Sequence, residues 1–362
     1  MEQITNNLNE LKINNELKSD KILDILKNIL KEKKINNIAK ELNVASGTIK
    51  RWLDLDNVPS LYQFDIMKLN NIKIDYSKYN YKEKDQFYTP IDTALYCYNI
   101  FLNIIKNLND NELEYTYIEP SAGCGNFLNV LPIDRVIALD IEPKDNSNII
   151  EQDYLLWKPK EDKKYIVFGN PPFGLRGHLA LKFINHSSNF ADYVCFILPQ
   201  LFESDGKGVP RKRVIGYNLI YSEKLNTNFI EPSGKEVKVN CIFQIWSKYH
   251  KSDKFNIKVI NTDIIKIYSL SDGGTPSSTR NKKMLNICDI YIPSTCFGKN
   301  NMKYYDKFEN LPGRKGYGIV FNKDKEKNII KFKNINWSEN AFLSTNSAYN
   351  IRTSQISNLF NS

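Results

Sequence analysis

Asn170-Pro171-Pro172-Phe173 combines groups that suit one kind of chemistry. A side-chain amide oxygen and a proline-constrained carbonyl can together accept both hydrogens of an exocyclic amine. The ring of Phe173 offers a stacking face for a planar base. A second polar group runs from Glu119 through Pro120-Ser121-Ala122-Gly123-Cys124-Gly125-Asn126 to Phe127. There Gly123 and Gly125 remove side chains where a ligand must come close to the backbone. Further along, Asp140 ends an apolar run, where a carboxylate can accept both hydroxyls of a ribose. Asp153-Tyr154 then sets an acceptor for an adenine amino group beside a ring or an apolar wall. A strand-end carboxylate alone would read as a helix cap. Four such features in this order describe a nucleoside site.

These groups need elements to hold them, and the hydrophobic pattern supplies candidates. Short apolar runs predict strands at Tyr115–Ile118, Arg135–Asp140, Asn148–Gln152, Tyr165–Gly169, Asp192–Leu198 and Val239–Trp246. Helices are expected at Ile91–Leu108, Asn126–Leu131 and Gly177–Ser187, so the glycine loop opens a helix. Alternation of strand and helix predicts an open α/β sheet with ligands at its carboxyl edge. The stretch before it is helical, and Ile35 to Leu53 resembles a helix-turn-helix. Ala39 is small where two helices would cross, Asn43 suits the turn, and Val44, Ile49 and Trp52 seal a core. Ser46 is expected to cap the second helix, which presents Thr48, Lys50 and Arg51 to a major groove. An ordinary helical hairpin fits the same pattern. A tyrosine-rich segment through Tyr81 reads as a linker. Beyond Ser252 the chain is polar, turn-rich and basic, without a clean period.

The expected division is therefore a helical domain plus linker over 1–80, a catalytic domain over 81–250 and a separate module over 251–362. The chain of 362 residues is long enough for two or three domains. Its 50 Lys and Arg against 41 Asp and Glu give a net charge of +9, which suits a polyanionic partner. Six scattered cysteines without CxxC spacing, and three histidines apart from them, predict reduced thiols and no metal site. No apolar run reaches membrane-spanning length and the N-terminus is polar, so a cytoplasmic protein without membrane contact is expected.

The central block resembles the catalytic domain of S-adenosylmethionine-dependent amino-methyltransferases, specifically the gamma-type DNA adenine-N6 enzymes. The resemblance runs from Gln86 to Lys248 and rests on Gln86-Phe87-Tyr88-Thr89-Pro90, the glycine loop, Asp140, Asp153 and the Asn-Pro-Pro-Phe turn. It implies a Rossmann-like class I methyltransferase sheet and S-adenosylmethionine as cofactor. Thr89 would meet the cofactor's methionine end, and Glu119, Ser121, Ala122, Gly123 and Gly125 would form its loop. Asp140 would bind its ribose, Asp153 and Tyr154 its adenine, and Asn170 would border the reacting methyl. Asn170, Pro171, Pro172 and Phe173 would be catalytic. A second ring, Trp246 or else Phe243, would sandwich the extruded base against Phe173, although either also suits a strand core. The C-terminal module would be a mixed target-recognition module.

The resemblance implies site-specific methylation of adenine N6 in double-stranded DNA, alone or beside a cognate restriction endonuclease on a separate chain. The base must leave the duplex to be reached. Transfer then needs mainly positioning and no strong base. Gly174, Arg176 and Gly177 could form a lid. Arg211, Arg213 and Arg314 are candidates for following the phosphate backbone, and Asn346, Tyr349, Asn350 and Arg352 for meeting base edges. Other readings stay open: methylation of ribosomal RNA bases, of protein glutamine amides or of cytosine N4, and a DNA-binding regulator with a vestigial catalytic domain.

Overall fold

The computed structural model describes residues 21–42, 44–144, 146–204, 209–255, 263–271, 282–298, 302–309, 311, 315–343 and 348–360. The chain divides into two compact units, residues 1–87 and 88–362.

The first unit is helical: α1 (21–32), α2 (Ile35–Glu41), α3 (Ser46–Asp54) and α4 (Gln63–Leu69). Apolar residues at helical spacing give each helix one buried stripe. Leu26, Ile38, Ile49 and Ile66 are wholly buried where these stripes meet, with Ala39 and Trp52 beside them. Ser46 is the first residue of α3 and not its cap; its hydroxyl donates to Asn36 Oδ1 at 2.6 Å and ties α3 to α2. Asn43 lies outside the described residues. The tyrosine-rich segment packs back on α4, with Tyr76 and Tyr79 against Phe64 at ring separations of 5.4 and 4.7 Å.

The second unit begins with α5 (Ile91–Asn107) and a seven-stranded sheet. Its strands are β1 (Tyr115–Glu119), β2 (Val136–Asp140), β3 (Ile149–Glu151), β4 (Lys164–Gly169), β5 (Tyr193–Pro199), β6 (Asn218–Leu225) and β9 (Cys241–Ser247). The order is β3-β2-β1-β4-β5-β9-β6, with β1 to β5 parallel and β9 antiparallel to both neighbours. This mixed, mostly parallel layout fits a Rossmann-like α/β fold. A small hairpin, β7 (Asn228–Ile230) with β8 (Glu236–Lys238), lies between β6 and β9 in sequence.

Both faces of the sheet are covered, so the central strand β5 is apolar and buried at every position. Alternation sends Tyr117, Phe168 and Phe243 to the face where Phe101 of α5 packs. Val167, Val194, Phe196 and Leu198 go to the other face, against Ala180, Leu181, Phe183 and Ile184 of α6 (His178–Ser187).

Two expectations change here. The strand β6 has a mixed pattern of burial that hid it among polar residues. The helix expected at Asn126–Leu131 is instead a pair of turns, with Val130 N and Leu131 N both bonded to Phe127 O. Pro132 has no N–H to extend those turns, and the Asn126 amide is tied to Thr89 O at 2.7 Å. Phe127, Leu128 and Leu131 are buried all the same.

The C-terminal part, without a legible period in sequence, is built from two antiparallel sheets. One is β10 (Ile265–Ser271), β13 (Lys315–Phe321) and β11 (Ile290–Pro293), with β13 central. The other is β12 (Thr295–Phe297), β15 (Ala348–Asn350) and β14 (Phe342–Leu343). Helices α7 (Lys325–Asn334), α8 (Trp337–Asn340) and α9 (Thr353–Asn358) complete a core around Phe332, Trp337 and Phe360. Among the described residues no helix is long and apolar enough to cross a membrane. All six cysteines are free thiols.

Candidate active site

Four adjacent parallel strands bring the polar groups to one edge. Glu119 ends β1, Asp140 ends β2, Asp153 follows β3 and Asn170 follows β4. Between β1 and the turns at Phe127, the backbone folds tightly enough to need two left-handed residues, Gly123 at φ 56° and Gly125 at φ 84°. A Cβ on Gly125 would stand 2.9 Å from Asn146 Nδ2, and one on Gly123 would stand 3.1 Å from the Tyr88 ring. Asp140 clasps the loop: Oδ2 accepts from Gly123 N and Oδ1 from Glu142 N, both at 2.8 Å. Each oxygen keeps another lone pair for a ligand hydroxyl.

Among the described residues, three buried polar atoms at this edge have no hydrogen-bond partner: Thr89 Oγ1, Glu119 Oε2 and Asn170 Oδ1. Short contacts tie their residues to the same loop. Thr89 O accepts from Asn126 Nδ2, and Ser121 Oγ donates to Asn170 O at 3.1 Å. A Cβ on Gly169, next to Asn170, would lie 3.5 Å from the Glu119 side chain. Leaving such groups unsatisfied costs roughly 1–3 kcal/mol each. Groups of this kind can take a partner from a polar ligand. Burial pushes the Glu119 carboxyl well above its ordinary range, and the nearby Asp140 adds to the shift.

The turn after β4 is held from two sides. Pro171 is buried, while Pro172 and Phe173 are half-buried. The Phe173 carbonyl accepts from Leu179 N at 3.1 Å and Ala180 N at 3.3 Å, so the first turn of α6 fixes the residue carrying the ring. Gly174 and Gly177 are left-handed, and Gly177 packs where a Cβ would meet Phe202 at 2.8 Å. The segment expected as a lid is thus a packed turn.

The remaining expected site residues divide between the edge and the core. The Asp153 carboxylate keeps its place at the edge and accepts from Leu155 N at 3.0 Å. Tyr154 does not line the site: its ring is buried against Phe183 and its hydroxyl meets Ser187 Oγ at 2.6 Å. Trp246 pairs with Val194, far from the carboxyl end of β5, and packs in the core with the α6 side chains. Phe243 is wholly buried against Phe168 on the opposite face. Alternation along a doubly covered strand buries both rings, so neither faces the turn.

Arg211 is occupied by the carbonyls of Glu203 and Phe255. Burial lowers the affinity of Arg213 for its proton. Asn350 accepts from Thr295 Oγ1 at 2.9 Å and joins two strands. Thr48, Lys50 and Arg51 lie on α3 of the first unit, the latter two exposed. Arg314 and Asn346 lie outside the described residues.

Three residues join the site without having been singled out. Tyr88 covers the glycine loop and is anchored by paired backbone bonds with Ile230 of 2.8 and 2.9 Å. Its hydroxyl pKa is pushed up to about 12, first by burial and then by its neighbours Cys124, Asp140 and Glu142. Asn126 and Asn146 brace the loop. Their signal in sequence was slight: a ring directly before Thr89-Pro90 and amides within a glycine-rich stretch.

No family profile and no curated protein matches this chain. Solved structures with similarity include an RNA methyltransferase candidate from Pyrococcus horikoshii, 17% identical, covering 45% of this chain and 86% of that one at a TM-score of 0.32. The modification subunit of a candidate type I restriction enzyme from Vibrio vulnificus is 11% identical, with 81% and 67% covered at a TM-score of 0.31. The type IIL restriction-modification enzyme MmeI, in complex with DNA, is 10% identical, with 76% and 58% covered at a TM-score of 0.29.

Proposed function

We propose that the chain is a DNA methyltransferase acting on the N6 amino group of adenine, with S-adenosylmethionine as cofactor. The observation that carries this reading is the trio of partnerless polar atoms, Thr89 Oγ1, Glu119 Oε2 and Asn170 Oδ1, gathered at one sheet edge. Thr89 Oγ1 and Glu119 Oε2 suit a zwitterionic, ribose-bearing ligand, and Asn170 Oδ1 suits the amine of a target base. Thr89 and Glu119 would hold its amino-acid end, Asp140 its ribose and Asp153 its adenine, while Gly123 and Gly125 let it approach the backbone. When bound, this cofactor supplies an electrophilic methyl carbon.

The remaining work belongs to the chain. Asn170 Oδ1 and the Pro171 carbonyl accept the two amino hydrogens of the target. That draws the nitrogen lone pair out of conjugation and aims it along the line of displacement. Phe173 stacks on the base, which must be out of its helix to reach the turn. The basic balance of +9 and the α3 side chains Lys50 and Arg51 favour DNA as the polyanion.

The test is incubation of the protein and labelled cofactor with duplex DNA, RNA or ribosomes, followed by mapping of the modified base. N6-methyladenine in DNA is expected. Replacing Asn170 by Ala should lower methyl incorporation by about 10²-fold or more while cofactor affinity persists. Label in RNA or protein alone, or an active Asn170→Ala enzyme, would overturn the reading.

A further inference from the structure

Six described residues other than glycine have positive φ, and five of them are Asn or Asp: Asp56, Asn71, Asp85, Asn109 and Asp324. Those side chains tolerate the left-handed region because they hydrogen-bond locally. The sixth is Arg176, at φ 54° and ψ 32°, and it has no such compensation. It stands three positions after Phe173, in the turn that the Asn170 motif leads into. The turn cannot relax around it. Gly177 N donates to Gly174 O at 3.2 Å, and a Cβ on Gly174 would fall 2.7 Å from Leu179 Cβ.

Charge makes the choice costlier still. Arg176 is exposed and directly precedes the N-cap Gly177 of α6, a helix of 10 residues whose N-terminal end is electropositive. Among the described residues no carboxylate forms an ion pair with it. A guanidinium in a strained backbone, at the positive end of a helix and without an acid, weakens the free protein. An anion from a ligand would give it a partner.

We propose that Arg176 is a positioning residue that grips a phosphodiester of the nucleotide whose base is seated against Phe173. This rests on the nucleic-acid reading given above and adds a residue to it. The turn sets the Arg176 backbone three residues from Phe173, so one contact can locate the nucleic-acid backbone while the ring seats the base. A guanidinium matches two phosphate oxygens at once, which an ammonium does not. The helix end adds its field to the same anion.

The experiment compares the full-length protein with Arg176→Asn and Arg176→Lys. Readouts are thermal melting, cofactor affinity, and binding to mixed-sequence DNA and RNA duplexes across a salt series. Arg176→Asn should melt at the same temperature or about 1–3 °C higher, since Asn accepts this backbone. Its plot of log affinity against log salt should be shallower by about 0.9, one phosphate contact. Arg176→Lys should keep most of the slope. Cofactor affinity should not move.

An Arg176→Asn protein that melts lower, loses cofactor affinity or keeps the full slope overturns the assignment while the nucleic-acid reading stands. If the unaltered protein binds cofactor but no duplex even at low salt, the nucleic-acid reading itself fails. A loss confined to the RNA arm would support the phosphate contact and move the substrate from DNA to RNA.

Discussion

Glu119 sits wholly buried at the end of β1 with Oε2 unpartnered and its carboxyl held well above the ordinary range by burial and by Asp140. A carboxyl of this kind contributes stability that is complete below its unfolded value and is lost as pH rises through its folded one. The free protein should therefore weaken progressively from acid toward neutral and alkaline pH. Glu119→Gln removes the titration with almost no change of shape. Its melting temperature should match the parent near pH 5 and exceed it by a few degrees near pH 8, at about 2–4 °C for each kcal/mol relieved. The same change should weaken cofactor binding, because an ammonium group would no longer meet a carboxylate. The parent should release a proton on binding, seen as a dependence of binding heat on buffer, and Glu119→Gln should not. Equal melting differences at both pH values would sink this account. The residue thus trades free-state stability for a ligand, as Arg176 does on the other side of the turn.

Elements decide which of these residues meet. The glycine loop works because β1 ends directly before it and Asp140 of β2 clasps Gly123 N from the neighbouring strand. Gly125→Ala should cost about 1–2 kcal/mol from the left-handed backbone alone, beyond the close approach of Asn146. Chemical denaturation would measure that loss, and cofactor affinity should fall with it. An alanine variant of parental stability would mean that the loop reshapes freely. Much of this arrangement was legible in sequence, because buried parallel strands are uninterrupted apolar runs and the polar residues that end them stand out. Strands β1, β4 and β5 fall within a residue or so of the runs that announced them. What was not legible depends on pairing partners distant in sequence. Trp246 and Phe243 read equally well as stackers or core until β9 is placed inside the sheet, between β5 and β6, where Trp246 packs with α6 side chains and Phe243 against Phe168. Tyr154 hides for the same reason, its destination being Ser187 in α6. Phe127 to Leu131 carries a helical apolar spacing, yet Pro132 and the tie from Asn126 to Thr89 make it two turns. The C-terminal sheets pair strands separated by polar stretches, so no local period betrays them.

At the scale of the whole molecule, the charge of +9 is spread over two units that fold around separate cores. The helical unit buries Ile49 and Trp52 of α3 and exposes Lys50 and Arg51 on the other side of the same helix. Glu41 and Asp56 of that unit are paired with Lys33 and Lys27 at 3.5 and 3.3 Å. Removing two exposed cations leaves the buried stripe untouched, so stability should hold within about 0.5 kcal/mol. If this unit lies on DNA, the double change Lys50→Glu with Arg51→Glu in the full chain should flatten the salt dependence of duplex binding by about 1.8, two phosphate contacts. Cofactor affinity belongs to the second unit and should be unaffected. Methylation of a short duplex that fills only the catalytic site should also persist, whereas methylation of long DNA at low enzyme concentration should slow. That contrast separates a tethering role from a catalytic one, since a catalytic contribution would slow both substrates alike. An unchanged salt slope would leave the unit as a helical hairpin whose basic residues are simply solvated. The positive balance would then have to act through the second unit, where Arg176 already stands exposed beside the Phe173 turn.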